Sequence, residues 1–372
     1  FRTGPFEHLT LAGLDYYRVL NDVYTGSALA TTALGQRLPR QDLFNPVYDN
    51  QNTFFPPFSS YTSQRQNLLG VYLQDQIDLT DAFKLRLGGR FDRLERQVAN
   101  RIPNAAGQLP LASRRDDERF SPQVGVSWEI ASPVTLYASW GRGFRANTGT
   151  GAPDAAGAAA LFAPEYTESL EAGFKFAAPG DALTGTVAAF ETRKTNVLTA
   201  DPANPGFSRS LGRARSRGVE ADADLSLPAG FRLSATFAWI DAEVREAAVD
   251  PNFGFALRVG DPLINIPEWS GSALLVKDVA LGERKLTLGA GVNYVGRRLG
   301  EAGYRFPDGS FFELPAYVLA RLHAAIELTS TIRVSGEVTN LFNENYYPSS
   351  YSRVWIMPGA PRQAFVRAGF RL

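Results

Sequence analysis

Apolar and polar residues alternate with a period of two along much of this chain, most clearly from Leu68 to Arg93. Leu69, Val71, Leu73, Ile77 and Leu79 are set against Gly70, Tyr72, Gln74, Gln76 and Asp78. After a short break at Thr80–Asp81, Phe83, Leu85, Leu87 and Phe91 alternate with Lys84, Arg86, Gly88, Arg90 and Asp92. Successive side chains of a strand point to opposite faces, so each run has one apolar and one polar face. Two runs of about 11 residues with so short a link predict a long β-hairpin, and its strands have the length of tilted strands crossing a bilayer.

The same signature recurs. A weaker run spans Glu7–Val19, with Leu9, Leu11 and Gly13 opposed to Thr10, Ala12 and Leu14. Phe120, Val124, Val126, Trp128 and Ile130 turn through Ala131-Ser132-Pro133 into Val134, Leu136, Ala138 and Trp140. Leu170–Phe176 leads past Pro179–Asp181 into a less regular strand through Phe190 to Val197. Val219–Leu227 and Phe231–Trp239 flank Pro228-Ala229-Gly230, and Trp269–Val279 turns into Leu286–Tyr294. Val318–Leu328, Ile332–Val338 and Ala364–Leu372 complete about fourteen strands.

The connections discriminate between folds. Short turns near 80, 132, 180, 229, 282 and 330 alternate with long polar links near 20–64, 98–118, 146–165, 198–210, 246–266, 298–315 and 344–361. A sandwich gives no reason for such regularity, whereas an outer-membrane barrel has short periplasmic turns and long outer loops. With the last strand running inward, every short turn falls on the periplasmic side. The expected fold is therefore all-β, a transmembrane antiparallel up-and-down β-barrel. Its apolar face meets lipid, and Trp140, Trp239 and Tyr294 stand where an aromatic girdle lies. Its polar face carries charges of both signs, including Lys84, Arg86, Arg90, Glu220, Asp222 and Arg321, which suit either a wet pore or a folded plug.

Composition narrows the classes. Lys+Arg and Asp+Glu both count 38, so the basic excess of a nucleic-acid binder is missing and no nucleic-acid partner is expected. Mean hydropathy is −0.17 and no run of 18 apolar residues occurs, which argues against transmembrane helices while leaving a barrel open. Zero cysteines exclude disulfides and thiolate metal sites. The chain opens at Phe1 without a leader, so a targeting segment is expected to have been removed or to lie upstream.

Several segments resemble TonB-dependent outer-membrane receptors, most of all the ferrichrome-receptor type. These are GVYLQDQIDLTDAFKLRLGGRFDR (70–93), FSPQVGVSWEIASPVTLYASWGRGFRAN (120–147) followed by APEYTESLEAGFK (163–175), the stretch 195–225 with its RGVE, and NLFNENYYPSSYSRVWIMPGAPRQAFVRAGFRL (340–372). The resemblance implies a bacterial outer-membrane siderophore receptor that does no covalent chemistry. It implies that residues 1–372 are the C-terminal part of its barrel domain, about 14 strands of a probable 22, with the plug and energy-coupling box absent. A complete fourteen-stranded barrel is the rival. Implied partners are a ferric siderophore of hydroxamate type, outer-membrane lipid, and an inner-membrane energy-coupling protein acting through the plug. No cofactor or metal site is implied, iron entering only within the siderophore.

Candidate ligand contacts lie in the outer links. The link 20–64 contains Tyr24, Phe44, Tyr48 and Phe55, among other aromatics that lipid does not require there. They form either a vestibule packing a bulky, largely neutral chelate or the loop's own small core. The last loop offers Tyr351 and Trp355, and by resemblance Tyr351 falls where the ferrichrome type places a ligand-contacting aromatic. Arg142 and Arg145 attract an anionic chelate or serve as rim charges. For catalysis only His8 and His323 are available, and no G-x-S-x-G occurs. A porin-like channel and, more remotely, an outer-membrane hydrolase are the alternatives.

Overall fold

The structure is a computed structural model and describes residues 1–26, 58–103, 107–109, 112–147, 150–153, 159–200, 208–250 and 254–370. Fourteen long strands carry it. They are β1 (Phe6–Gly26), β2 (Phe58–Asp78), β3 (Phe83–Asn100), β4 (Ser113–Ala131), β5 (Val134–Arg145), β6 (Glu165–Ala177) and β7 (Leu183–Ala200). Then follow β8 (Ser208–Leu227), β9 (Phe231–Val244), β10 (Trp269–Leu281), β11 (Arg284–Val295), β12 (Tyr317–Glu327), β13 (Ile332–Thr339) and β14 (Gln363–Phe370). With the short strand Arg2–Thr3 against β1 they make one 15-stranded antiparallel sheet, paired in chain order. β1 and β14 do not pair with each other, so the sheet is open rather than the closed fourteen-stranded barrel that rivalled it. No helix among the described residues is long and apolar enough to cross a membrane.

Register fixes the two faces. Leu14, Val71, Phe91 and Phe120 lie opposite one another across β1 to β4, and a row of this kind shares one face. These large apolar side chains are exposed, as is Leu73 at 57%. A soluble core would bury them, and lipid would cover them here. On β3 the outward run Phe83–Phe91 is nine residues. At about 3.3 Å per residue and with the usual tilt, it matches the ~25 Å apolar band of an outer-membrane barrel. The upper girdle is Trp140, Trp239 and Tyr294 joined by Trp269, whose ring lies 6.2 Å from that of Trp239. Phe83 opposite Trp128, and Phe176 opposite Val134, supply a lower one.

One outward position breaks the alternation. Asp75 shares its face with Leu73 and Ile77, and near the periplasmic end it is met from β1 by His8 Nδ1 (2.7 Å) and the Thr10 hydroxyl (2.7 Å). A carboxylate there is tolerable because it is paired and close to the interface.

The strands outrun their sequence limits. The ladder of β1 and β2 continues to Gly26 and Phe58, so Tyr24 and Tyr61 are cross-strand partners on strands rather than members of a loop. Polar residues on both faces, from Ser63 to Asn67, erased the apolar alternation without ending the backbone pairing, because beyond the bilayer neither face needs to be apolar.

Candidate ligand-binding layer of the outer loops

Three links on the outer side pack together: 245–268, 296–316 and 340–362. The last begins with the run Asn340-Leu341-Phe342-Asn343, whose two asparagines adopt φ of 47° and 56°. Asparagine tolerates this left-handed region, and its side chain then bonds to the local backbone. Asn340 Nδ2 donates to the carbonyls of Glu344 (2.9 Å) and Ala360 (3.1 Å), and its Oδ1 accepts the Glu344 amide (2.8 Å). Asn343 Oδ1 accepts the Arg362 amide (2.9 Å), so both ends of the loop are closed. Gly359 is needed because a Cβ there would run into the Tyr346 ring, which itself lies 4.7 Å from that of Tyr317.

Within this frame Ser349–Ser352 and Trp355–Met357 form a small hairpin tied to both neighbouring links. Asn265 Nδ2 donates to the Ser350 carbonyl (2.8 Å) and Asn265 Oδ1 accepts its amide (3.0 Å). Ser350 Oγ donates to Gly300 O (2.5 Å). At the hairpin tip Arg353 gives its amide (3.1 Å) and a guanidinium N–H (3.3 Å) to Glu301, which is 2% exposed. The same guanidinium lies 3.6 Å from the centre of the Tyr304 ring. Arg305 reaches Asp261 at 2.5 Å, and buried Arg298 donates to the carbonyl of Tyr347. Burial of the polar groups named here is tolerable because each of them has a partner, whereas the Ser352 hydroxyl, fully buried in the same hairpin, has none among the described residues.

The hairpin walls a cavity of about 740 Å³ lined by Asn265, Ser350, Tyr351, Trp355, Ile356 and Met357. Among the described residues no charged side chain lines it. The Tyr351 and Trp355 rings meet edge-on with centroids 5.9 Å apart. Burial, and secondarily the carboxylate of Asp250, push the Tyr351 phenol above its ordinary value, so it stays a neutral donor at physiological pH. An uncharged pocket with two rings and a few hydroxyl and amide groups suits a bulky ligand with little net charge.

Of the residues anticipated for ligand binding, the structure joins Tyr351 and Trp355. Tyr24 stacks on Tyr61 at 4.2 Å, on the β1–β2 extension. Phe44, Tyr48 and Phe55 lie outside the described residues. Arg142 and Arg145 pair with Glu168 (2.9 Å) and Glu165 (3.0 Å) at the rim. Asn265, Glu301 and Arg353 escaped sequence reading, since each is a lone polar residue in a long link. Their only visible signal was aromatic density around Arg353, in Tyr351 and Trp355.

On the other face, partners follow parity. Lys84 pairs with Asp78 (2.7 Å), Arg86 bonds Gln74, and Arg90 bridges Asp15 (2.6 Å) and Asp92 (2.8 Å). Gly70 makes room for Arg90, since a Cβ would collide with its guanidinium. Arg321 stands 3.9 Å from Glu337. Glu220 and Asp222, in contrast, are exposed to the lumen and carry no ion pair among the described residues.

An antiparallel wall with an apolar outer band, two aromatic girdles, a charged inner face and ordered outer loops defines the class of outer-membrane β-barrel proteins. Residues 2–341 match the family described as TonB dependent receptor-like, beta-barrel, and the chain belongs to that family of outer-membrane receptors. It is similar to the metal-pseudopaline receptor of Pseudomonas aeruginosa, with 36% identity over 97% of this chain and 48% of that protein. It is also similar to the ferrichrome outer membrane transporter/phage receptor of Escherichia coli, with 30% identity over 100% of this chain and 47% of the relative. The chain thus spans about half the length of these relatives, which are receptors and transporters rather than enzymes. The crystal structure of the siderophore receptor PiuA from Acinetobacter baumannii superposes with a TM-score of 0.75 at 18% identity, covering 100% of this chain and 54% of that one.

Proposed function

We propose that this chain forms the wall and the ligand-binding outer loops of a receptor for ferric siderophores of the hydroxamate type. A ligand held at the outer loops passes through the barrel in an energy-coupled step, gated by a plug. Lys84, Arg86, Arg90, Glu220, Asp222 and Arg321 face that plug. The reading rests on the uncharged aromatic pocket at Tyr351 and Trp355, held by interlocked loops. A ferric trihydroxamate has no net charge at its metal centre and offers apolar surface to the rings. The ferrichrome and ferrioxamine B receptors among the relatives support this ligand class.

A second reading is favoured by the metal-pseudopaline receptor, whose identity of 36% exceeds the 30% of the ferrichrome transporter. In it, the cargo is a metal complex of another chelator type. Titration of the intact receptor with ferric hydroxamates and with metal-pseudopaline separates the two. Under the first reading hydroxamates bind, and Tyr351→Ala or Trp355→Ala weakens them about tenfold, the loss of roughly 1.4 kcal/mol of ring packing. Unchanged hydroxamate affinity in both variants removes these residues from the site. Binding of metal-pseudopaline without hydroxamates establishes the second reading.

A further inference from the structure

Sulfur is scarce in this chain, which has no cysteine and a single methionine. That residue, Met357, lines the outer cavity together with Tyr351 and Trp355. A thioether ordinarily fills gaps in an apolar core. Met357 is instead 61% exposed, at the end of the Trp355–Met357 strand of the small hairpin. Register sets it opposite Ser349, whose hydroxyl donates to Sδ at 4.0 Å. So long a bond suits the weak acceptor that a thioether sulfur is.

An exposed thioether is open to a two-electron oxidant such as hydrogen peroxide. A sulfur lone pair attacks one peroxide oxygen and the O–O bond breaks. The proton on the attacked oxygen passes to the departing one, which leaves as water. The product is a sulfoxide, a polar and chiral group that methionine sulfoxide reductases return to the thioether. No thiol of this chain is consumed first, because it has none.

The consequence follows from position. Among the described residues the cavity lining is uncharged, and its apolar part is the two rings with Ile356, Met357 and Pro358. A sulfoxide on that surface carries a hydrated acceptor oxygen. Covering it with a ligand that packs apolar atoms strips the water without supplying a donor, which costs free energy. Oxidation of a methionine elsewhere on the surface would leave recognition untouched.

We propose that Met357 is a reversible oxidation site through which peroxide weakens ligand binding at the outer loops. The proposal rests on the reading of the Tyr351 and Trp355 cavity as the place where the chelate is held. Its effect is to slow the entry of a redox-active metal while peroxide is present.

The test treats the intact receptor in detergent with hydrogen peroxide and locates the added oxygen by peptide mass spectrometry. Treated and untreated receptor are then titrated with a ferric trihydroxamate and with metal-pseudopaline. Oxidation at Met357 is expected to lower the affinity for the ligand that binds about fivefold, roughly 1 kcal/mol. Methionine sulfoxide reductases acting on both epimers should restore it, and saturation with ligand beforehand should slow the oxidation. Met357→Leu sets its own baseline, which peroxide should leave in place, and Met357→Gln should show a loss without peroxide. Affinity unchanged after full oxidation of Met357 overturns the proposal. So does an equal peroxide effect in Met357→Leu, or a loss that the reductases do not reverse. Untreated receptor that binds neither ligand overturns the cavity reading itself, and this proposal with it.

Discussion

The membrane wall and the outer loop layer solve opposite problems. In the wall, backbone pairing on both sides supplies the hydrogen bonds of the interior strands, and a side chain's surroundings follow from its parity: odd or even, lipid or lumen. In the loop layer there is no such ladder. The links 245–268, 296–316 and 340–362 hold together through individual polar contacts, such as Asn265 with Ser350 and Arg353 with Glu301. The wall therefore tolerates many substitutions that respect the face, and the layer depends on particular atoms. A transport scaffold can keep one architecture while its recognition surface is rebuilt contact by contact.

The sharpest test of this contrast adds a cation on the outer face of one strand and removes one from its luminal face. Leu87 points outward near the middle of the apolar band, and Leu87→Arg should cost about 2–4 kcal/mol, the penalty for a cation at the bilayer midplane. At the neighbouring luminal position, Arg86→Leu removes only a bond to Gln74 and should cost less than about 1.5 kcal/mol. Urea unfolding of the intact receptor in lipid vesicles measures both. Equal costs would mean that parity does not set the environment.

Arg353→Ala is the corresponding blow to the loop layer. It leaves the Glu301 carboxylate buried without its cation. Stranding a fully buried partner costs roughly 3–5 kcal/mol, and because Arg353 keeps 38% of its side chain exposed, about 2–3 kcal/mol is expected here. The loss should be local. Hydrogen exchange should accelerate across 349–357 while β2 to β4 remain protected. Arg353→Lys, which keeps the charge but loses the planar stack on Tyr304, should fall between.

This division also explains what the sequence could reveal. Strand number, the short turns and the outward rows were legible because alternation and loop length are repeated many times, and repetition averages out exceptions such as Asp75. The ends of β1 and β2 were not legible, because beyond the bilayer the apolar requirement lapses while pairing continues. Tyr351 and Trp355, which line one outer cavity, were singled out through aromatic density and family likeness. Glu301, Asn265 and Arg353 were not, because no periodicity joins residues from three separate links, and only the folded layer brings them together. The lower girdle was missed for a smaller reason: Phe83 and Trp128 read as ordinary members of apolar runs.

A milder substitution tests whether the layer's bonds act singly. Asn265→Ala removes both bonds to the Ser350 backbone and leaves that amide and carbonyl partly buried. A loss of about 1–2 kcal/mol is expected, again as faster exchange in 349–357. In a double-mutant cycle with Arg353→Ala the two effects should fall short of additive, since either change frees the same hairpin. Full additivity would show two independent clasps.

The smallest effect is a pH dependence confined to the 306–310 turn. Asp308 accepts bonds from the Ser310 hydroxyl (2.6 Å) and amide (2.9 Å), and these hold its carboxyl below the ordinary value of 3.8. A carboxylate whose pKa is lower folded than unfolded adds its stability above the unfolded value and loses it as pH falls through the folded one. The turn should therefore stay protected from pH 7 down to about 4 and loosen only in stronger acid. Asp308→Asn, which cannot ionise, should flatten that profile in local hydrogen exchange corrected for intrinsic rates. Because the carboxylate is solvent-exposed, the neighbouring hairpin at 349–357 should show no matching transition. A shared midpoint would mean that the turn and the layer open together.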